Sequence, residues 1–180
     1  MTDSVKKRVS LVPLADEHVD QLVRWRAQPE AQQHQPLSSL GEDQLLLYIK
    51  NKQSSKFAEI ADRDYVLIIW DEELDRGVGW VTLEILSRVH GLARIGYSIS
   101  KEYWGQGYAT AAVKAIARQL FSETPIERIE ADVSVRNPAS RRVLEKCGFA
   151  YLGLKRKYLI IRGERVDHDN FELLKEDWEQ

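Results

Sequence analysis

The sequence predicts one α+β domain that spans all 180 residues and has a mostly antiparallel central sheet flanked by helices. Strand-like segments at 65–70, 78–86 and 92–99 lie too close together for helical crossovers, so they should form an antiparallel meander. A strongly periodic helix pattern follows at 109–121, and two more strand-like segments surround a turn at 162–164. No linker or internal repeat divides the chain.

The first fifty residues are predicted to form a strand and two helices. Val9–Leu14 has the pattern of a strand, and a helix should start at Asp16. Ser38 or Ser39 should cap the second helix, because a serine hydroxyl accepts a hydrogen bond from a first-turn amide. The loop between these helices contains His34.

Strand and helix signals alternate in the rest of the chain. Tyr65–Trp70 is continuously apolar, the pattern of a strand that is buried on both faces. Asn137 and Pro138 predict a helix start, since Asn is a good cap and Pro suits the first helical position, and Gly148 is the natural end of that helix. The remaining predicted strands are 129–135, 149–161 and 166–174.

Composition and charge argue against several classes of function. The net charge is −2, so no global basic field indicates direct nucleic-acid binding. The longest strongly apolar segment, Val66–Trp70, is far too short to span a bilayer, and no membrane partner is expected. Cys147 is the single cysteine, which fits a reducing compartment, so we expect a cytoplasmic protein. The four histidines lack metal-ligand spacing, and no metal is predicted.

The segment Trp104–Thr110 carries the clearest chemical signal, because it follows a strand and opens a helix. Gly105 and Gly107 permit a tight turn and a close approach of backbone amides to a ligand. The first helical turn has unpaired amides at the positive end of the helix dipole, so the segment predicts a phosphate-binding site. The dinucleotide fingerprint lacks its third glycine here, and the Walker loop is excluded because no Gly-Lys-Ser or Gly-Lys-Thr occurs.

Several segments together resemble a known family. Gly96–Ile99 and Tyr103–Thr110 resemble the acetyl-CoA motif of the GNAT acetyltransferases, most closely the branch with the ribosomal-protein alanine acetyltransferases RimJ and RimL. Asn137–Phe149 resembles the second cofactor motif of this family, and Arg162–His168 resembles the C-terminal hairpin of the branch. The resemblance implies the GNAT fold, with a mixed sheet that is splayed at the cofactor strand.

The resemblance also implies how acetyl-CoA, the expected co-substrate, is held. The strand ending at Ile99 should splay from its neighbour at a bulge and pair with the pantetheine arm, while the amides of the glycine turn hold the diphosphate. Asn137 should contact the pantetheine region, and Ser140 should point towards the thioester. Arg142 either approaches the 3′-phosphate or is a solvated helix residue. The predicted cofactor residues are Ile99, Ser100, Lys101, Gly105, Gln106, Gly107, Tyr108, Ala109, Thr110, Asn137, Ser140 and Arg142.

Two positions depart from the family pattern and affect proton transfer. Leu144 stands where many members have a tyrosine acid, so Ser140 is the nearest replacement, with water or direct thiolate departure as alternatives. Arg94 stands where the branch frequently has a glutamate, which removes one expected base. Glu84 and Asp132 are the candidate bases, although each also fits a solvated strand face.

The acceptor is an amine that the sequence does not identify: a protein N-terminus or a small molecule. Its pocket should lie between residues 16–50 and the C-terminal hairpin, with His34 as a candidate contact. An acidic cleft would favour polyamines, and an open groove would favour a peptide. Cys147 is interpreted as a small buried residue rather than a nucleophile. A catalytically silent acyl-CoA-binding module is the alternative function, and a homodimer is compatible with the sequence.

Overall fold

The computed structural model describes residues 7–35 and 64–178, and the labels used below number the elements of those residues. Seven strands form one sheet in the order β1-β2-β3-β4-β5-β7-β6. The strands are β1 Val9–Pro13, β2 Asp64–Asp71, β3 Arg76–Ser87, β4 Leu92–Ile99, β5 Arg128–Ser134, β6 Ala150–Ile161 and β7 Glu164–Leu174. The helices are α1 Val19–Ala27, α2 Tyr108–Glu123, α3 Pro138–Lys146 and the single turn α4 Lys175–Trp178.

Two expectations concern the helices. The predicted second helix, with its cap at Ser38 or Ser39, lies outside the described residues. The helix predicted from Asp16 begins as a 3-10 turn, Asp16–His18, and continues as α1. Within the two described ranges, no helix is both long enough and apolar enough to cross a membrane.

Strands β2 to β4 form the predicted antiparallel meander, and β1 adds a fourth antiparallel strand by pairing with β2. The centre of β2 is buried on both faces, as its sequence predicted. Leu67 and Ile69 belong to a larger core shared with α2, whereas Ile68 belongs to a smaller core shared with α1. The continuous apolar segment follows from this arrangement, because a strand with one solvated face would alternate apolar and polar residues.

The larger core lies between the sheet and α2. Side chains at helical spacing on one face of α2 are fully buried there, as predicted, and each large aliphatic one contributes roughly 1.5–3 kcal/mol. These residues are Ala112, Val113, Ile116, Ala117 and Leu120. The buried alanines of this stripe leave room for α2 to pack closely on the sheet, and the packing fixes where the first turn of α2 lies.

The smaller core holds α1 against the opposite face of the meander. Trp25 stacks on Trp80 with ring centroids 6.2 Å apart, and both side chains are buried. Gly77 makes this packing possible, since a Cβ atom there would lie only 3.0 Å from side-chain atoms of Trp25 and Ile68. Trp25 is therefore a core residue.

The sheet splits between β4 and β5, which are its one parallel pair among the described strands. Pairing is limited to three positions, from Leu92 opposite Arg128 to Arg94 opposite Glu130. Beyond them β4 continues to Ile99 without β5 as a neighbour, so the predicted mixed and splayed sheet is confirmed. The bulge expected near Ile99 is not where the ladder is irregular: β4 pairs regularly with β3 there, and the register shift lies at Ile85–Ser87.

A buried carboxylate fixes the start of α2. The hydroxyl of Tyr108, the first residue of α2, donates a short hydrogen bond to Asp71, whose other oxygen accepts from the amides of Glu73 and Leu74 at 2.7 and 2.9 Å. Burial alone would raise the pKa of Asp71, but these donors and the nearby Lys7 outweigh it and lower the pKa. The turn after β2 and the first turn of α2 are thereby joined across 37 residues.

We expect Asp71→Asn to lower the free energy of unfolding by about 1.5–3 kcal/mol at pH 7, because the hydrogen bonds to the carboxylate become neutral ones. The lowered pKa of Asp71 means that its contribution is complete above about pH 4 and disappears as the carboxylate is protonated in more acidic solution. Denaturant unfolding at several pH values checks this. Asp75→Asn, at an exposed carboxylate in the same turn, is the matched control and should change stability by less than about 0.5 kcal/mol. Equal effects of the two substitutions would contradict the account.

Candidate active site in the split sheet

A cleft of about 1410 Å³ opens where β4 and β5 diverge. One end is lined by the glycine turn and the first turn of α2, and the middle by β4, β5 and the start of α3. The other end is lined by residues 30–31 and 33–35 and by the hairpin of β6 and β7. Single-ligand pockets are usually about 300–1,000 Å³, so this cleft has room for two reactants side by side.

The glycine turn has the conformation that an anion site requires. Gly105 and Gly107 have φ values of 73° and 89°, a left-handed region in which side chains are strained. A Cβ atom at either position would meet nothing within 4 Å, so the space above the turn is open. The first backbone hydrogen bond of α2 runs from the amide of Ala111 to the carbonyl of Gly107 at 3.0 Å. The amides before Ala111 have no intrahelical acceptor and lie at the positive end of the helix dipole.

Local hydrogen bonds hold this turn in place. The indole of Trp104 donates to the carbonyl of Ile99 at 2.7 Å, and the side-chain amide of Gln106 donates to the carbonyl of Glu102 at 3.1 Å. The rings of Tyr103 and Tyr108 meet edge to face, with centroids 5.7 Å apart. The turn is therefore ordered by its own side chains before any ligand binds.

The free part of β4 lines the cleft as far as Ile99, and the two residues that follow the strand are turned to other partners. The amide of Ser100 donates to Val78 of β3 at 2.9 Å, and the ammonium group of Lys101 reaches Glu30 at 2.6 Å. Neither residue lines the cleft, whereas Ile99 does. Of the twelve predicted cofactor residues, the cleft brings together all but Ser100 and Lys101.

The start of α3 carries a pair of hydroxyl groups. Asn137 caps the helix, and its side chain accepts from the amide of Ser140 at 3.1 Å. The Ser140 hydroxyl oxygen lies 2.8 Å from the Tyr97 hydroxyl, which also lies 3.1 Å from the Ser140 carbonyl. Burial raises the pKa of Tyr97 above its usual range, so its phenol remains protonated at neutral pH. Sequence reasoning did not connect these two residues.

The other residues of α3 that were singled out differ in exposure. Leu144 is fully buried and does not line the cleft, and Arg142 and Lys146 line it one helical turn apart. Cys147 is buried as predicted, and burial raises the pKa of its thiol to about 11. A thiol with that pKa is protonated at neutral pH and is a poor nucleophile.

The candidate bases converge on one cation, Arg94. Its guanidinium lies 3.0 Å from Glu84, 3.5 Å from Asp132 and 3.9 Å from Glu130. Glu84 and Asp132 line the cleft, and Glu130 does not. The register places Glu84 and Glu130 directly opposite Arg94 on its two neighbouring strands. The pairing of β4 with its two neighbouring strands was needed to see this cluster.

Asp132 has the most restricted environment of these carboxylates. One oxygen accepts from Lys155 at 2.7 Å and from Asn170 at 3.0 Å. The other oxygen is buried and lies 3.5 Å from the Nε atom of Arg94, and it has no hydrogen-bond partner among the described residues. Its side chain is 7% exposed, compared with 46% for Glu84.

The end of the cleft away from the glycine turn is formed by a segment that we call the bridging segment, residues 29–35. Gln35 donates to the carbonyl of Tyr97 at 3.0 Å, and Arg162 of the hairpin donates to the carbonyl of Pro29 at 3.3 Å. The segment thus joins the two sides of the split. His34 lines the cleft, and burial, with a smaller effect of Arg136, lowers its pKa, so its imidazole is neutral at pH 7.

The opposite wall at this end comes from the hairpin. His168 is buried, and its Nδ1 atom lies 3.0 Å from the carbonyl of Val166. Its ring meets Tyr158 edge to face, with centroids 5.7 Å apart. Across residues 7–35 and 64–178, no group of three or more His, Cys, Asp or Glu side chains has a metal-binding arrangement.

Comparisons with known proteins agree with this geometry. Residues 8–150 match the acetyltransferase (GNAT) domain family. The chain is 39% identical over 120 residues to the probable N-acetyltransferase YjcK of Bacillus subtilis, and this match covers 66% of each protein. It is 37% identical over 101 residues to the putative ribosomal N-acetyltransferase YdaF of the same organism, covering 56% of this chain and 55% of that protein. The chain thus spans about two thirds and about half of these relatives.

A solved structure shows the same fold. The spermidine N-acetyltransferase of Vibrio cholerae, in complex with CoA and spermine, superimposes with a TM-score of 0.83, covering 96% of this chain and 98% of that one, at 19% identity. This match confirms the predicted fold. The domain match and the named relatives confirm the resemblance to the RimJ and RimL branch and the predicted enzyme class of acyltransferase. Because the domain match covers most of the chain, the protein belongs to the GNAT acetyltransferase family.

Proposed function

We propose that this enzyme transfers the acetyl group of acetyl-CoA directly to the α-amine of a polypeptide N-terminus. The observation that carries the proposal is the opening between β4 and β5 directly beside the free amides of the glycine turn. An elongated thioester with a diphosphate at one end fits such a site, because the amides take the charge and the opening takes the arm.

The donor roles are assigned from the family resemblance, and the position of each element in the cleft supports them. The amides from Gly105 to Thr110 hold the diphosphate, and the edge of β4 at Ile99 lies along the pantetheine arm. Asn137 and Ser140 border the arm at its thioester end. Arg142 lines the same cleft and is assigned to the 3′-phosphate. Ile99 already uses its carbonyl for Trp104, so its amide is the group left for the arm.

The amine is proposed to meet Asp132. The reaction forms a C–N bond and breaks the C–S bond, and the amine must lose a proton because an ammonium has no lone pair. The buried oxygen of Asp132 without a hydrogen-bond partner is the carboxylate atom best suited to accept that proton, directly or through water. Arg94 and Lys155 lie 3.5 and 2.7 Å from this carboxylate and balance its negative charge.

The charges of the cleft favour an acceptor with a single amine. Each described carboxylate that lines it is already paired: Glu30 with Lys101, Glu84 with Arg94, and Asp132 with Lys155. A polyamine requires carboxylates free to bind its additional ammonium groups. The relative named as a putative ribosomal N-acetyltransferase supports a polypeptide acceptor, whereas the spermidine enzyme shares only the fold.

The donor site is tested by Gly107→Glu. A side chain at this position enters the open space above the turn and sets a carboxylate against the diphosphate, so coenzyme A should bind about 10–100-fold more weakly in calorimetric titration. Gly163→Glu is the matched control, because Gly163 also has a positive φ and open space but lies outside the cleft. Unchanged affinity in a folded Gly107→Glu protein would reject the donor site.

The acceptor is tested by release of free thiol from acetyl-CoA. Peptides with a free N-terminal alanine should react at least about tenfold faster than spermidine, since only one amine has to be accommodated. The same peptides with a blocked N-terminus are the control. Faster reaction of spermidine would favour a small amine, and no release above hydrolysis with any acceptor would favour a silent acyl-CoA-binding module.

The base is tested by comparing Asp132→Asn with Glu84→Gln, two neutral isosteres at partners of Arg94. Asp132→Asn should lower kcat/KM by about 10²-fold, because the amide cannot accept the proton. Glu84→Gln should change it less than about threefold, since a half-exposed ion pair contributes little. Thermal melting of both variants separates lost chemistry from lost folding. The reverse ranking would assign the proton to Glu84.

A further inference from the structure

We propose that Tyr97 is a positioning residue for the leaving group: it holds the hydroxyl of Ser140 so that Ser140 donates a hydrogen bond to the departing sulfur. The inference rests on the proposed acetyl transfer and goes beyond it by assigning a donor to the thiolate. It explains how the reaction proceeds with Leu144 where many relatives have a tyrosine acid.

The geometry joins two elements across the cleft. Tyr97 lies on the free part of β4, Ser140 lies in the first turn of α3, and both line the cleft. The two hydroxyl oxygens are 2.8 Å apart, and the Tyr97 oxygen is 3.1 Å from the Ser140 carbonyl oxygen. The contact connects residues 43 positions apart and is the link between β4 and α3 at this level.

Counting protons shows what the pair can do. The carbonyl of Ser140 only accepts, so a Tyr97 proton directed to it leaves the phenol oxygen to accept from the Ser140 hydroxyl. If the Tyr97 proton turns to the Ser140 oxygen instead, the Ser140 proton is free to face the cleft. The two arrangements differ by rotation of two O–H bonds. In the second, Ser140 presents its proton to the cleft while its oxygen accepts a hydrogen bond from the Tyr97 hydroxyl.

The second arrangement matches the charge that develops in the reaction. As the amine nitrogen forms the C–N bond, the C–S electron pair moves to sulfur, and the Ser140 hydroxyl donates a hydrogen bond to that negative charge. No proton leaves Ser140 or Tyr97, and the released thiolate takes its proton from solvent. Burial keeps Tyr97 protonated, which suits a donor and disfavours a tyrosinate relay. Donors aimed at developing charge typically accelerate such steps by about 10²–10³-fold.

The surroundings hold the pair in this orientation. Asn137 accepts from the amide of Ser140, so the backbone that carries the serine is fixed at the helix start. The dipole of α3 adds a favourable potential for negative charge at this end. The backbone of Tyr97 is fixed too, because it pairs with Val81 of β3 on one side and its carbonyl accepts from Gln35 at 3.0 Å.

The test is a double-mutant cycle with Tyr97→Phe and Ser140→Ala. Each single variant should lower kcat by about 10–100-fold at saturating acetyl-CoA, with KM for acetyl-CoA changed less than about threefold. The double variant should be no slower than Ser140→Ala, because Tyr97 acts through Ser140. Tyr151→Phe, an exposed tyrosine outside the cleft, is the control and should leave kcat unchanged.

Three results would overturn the inference. The first is a double variant whose loss of kcat equals the product of the two single losses. The others are a kcat for Tyr97→Phe equal to that of Tyr151→Phe, and full kcat in Ser140→Ala. Thermal melting verifies folding, and Ser140→Ala remains decisive if Tyr97→Phe does not fold. A parent protein without turnover on any amine would instead reject the proposed function, so the two failures are distinguishable.

Discussion

The divergence of β4 from β5 after Arg94 is the constraint on which the rest of the site depends. Two parallel strands that stop pairing after three positions leave backbone groups of β4 without a strand partner along the half-buried wall of the cleft. Such groups must find partners, because an unpaired buried amide or carbonyl is costly. Gln35 and Trp104 donate hydrogen bonds to two of these carbonyls. The remaining backbone groups of this edge are available to an extended ligand that pairs with it as a neighbouring strand would. The chain turns from this edge directly into α2, which puts the anion site at the end of the opening.

The split is held at both of its levels by polar contacts. At its base, Arg94 joins carboxylates of β3 and β5 at the last paired position, so the strands are fastened where they begin to part. Higher up, the Tyr97–Ser140 contact and the bridging segment of residues 29–35 connect the two sides across the cleft. The same contacts that keep the opening in shape also bring the donor, the acceptor and the groups for proton transfer together. Stability and chemistry in this protein therefore draw on one set of residues.

Much of the fold was predictable from local sequence, and much of the site was not. The meander, α2, and the Asn137 cap follow from periodicity, spacing and capping chemistry, which act over a few residues. The glycine turn was predictable for the same reason, since glycine is the residue that adopts the positive φ of Gly105 and Gly107 without strain. The Arg94 cluster and the Tyr97–Ser140 pair depend on which strands and helices become neighbours, a consequence of the whole topology. The two interpretations of Glu84 and Asp132, as solvated carboxylates or as bases, did not include the ion pair that each forms with Arg94.

We propose that the glycine turn and the free edge of β4 form one binding site for acetyl-CoA. Hydrogen exchange followed by mass spectrometry, with and without saturating coenzyme A, tests it most directly. The account predicts slower exchange of the amides at 105–110 and at 95–99 together, at the same ligand concentration, with β1 unchanged. Protection of only one of these two segments, or protection confined to another part of the chain, would contradict it.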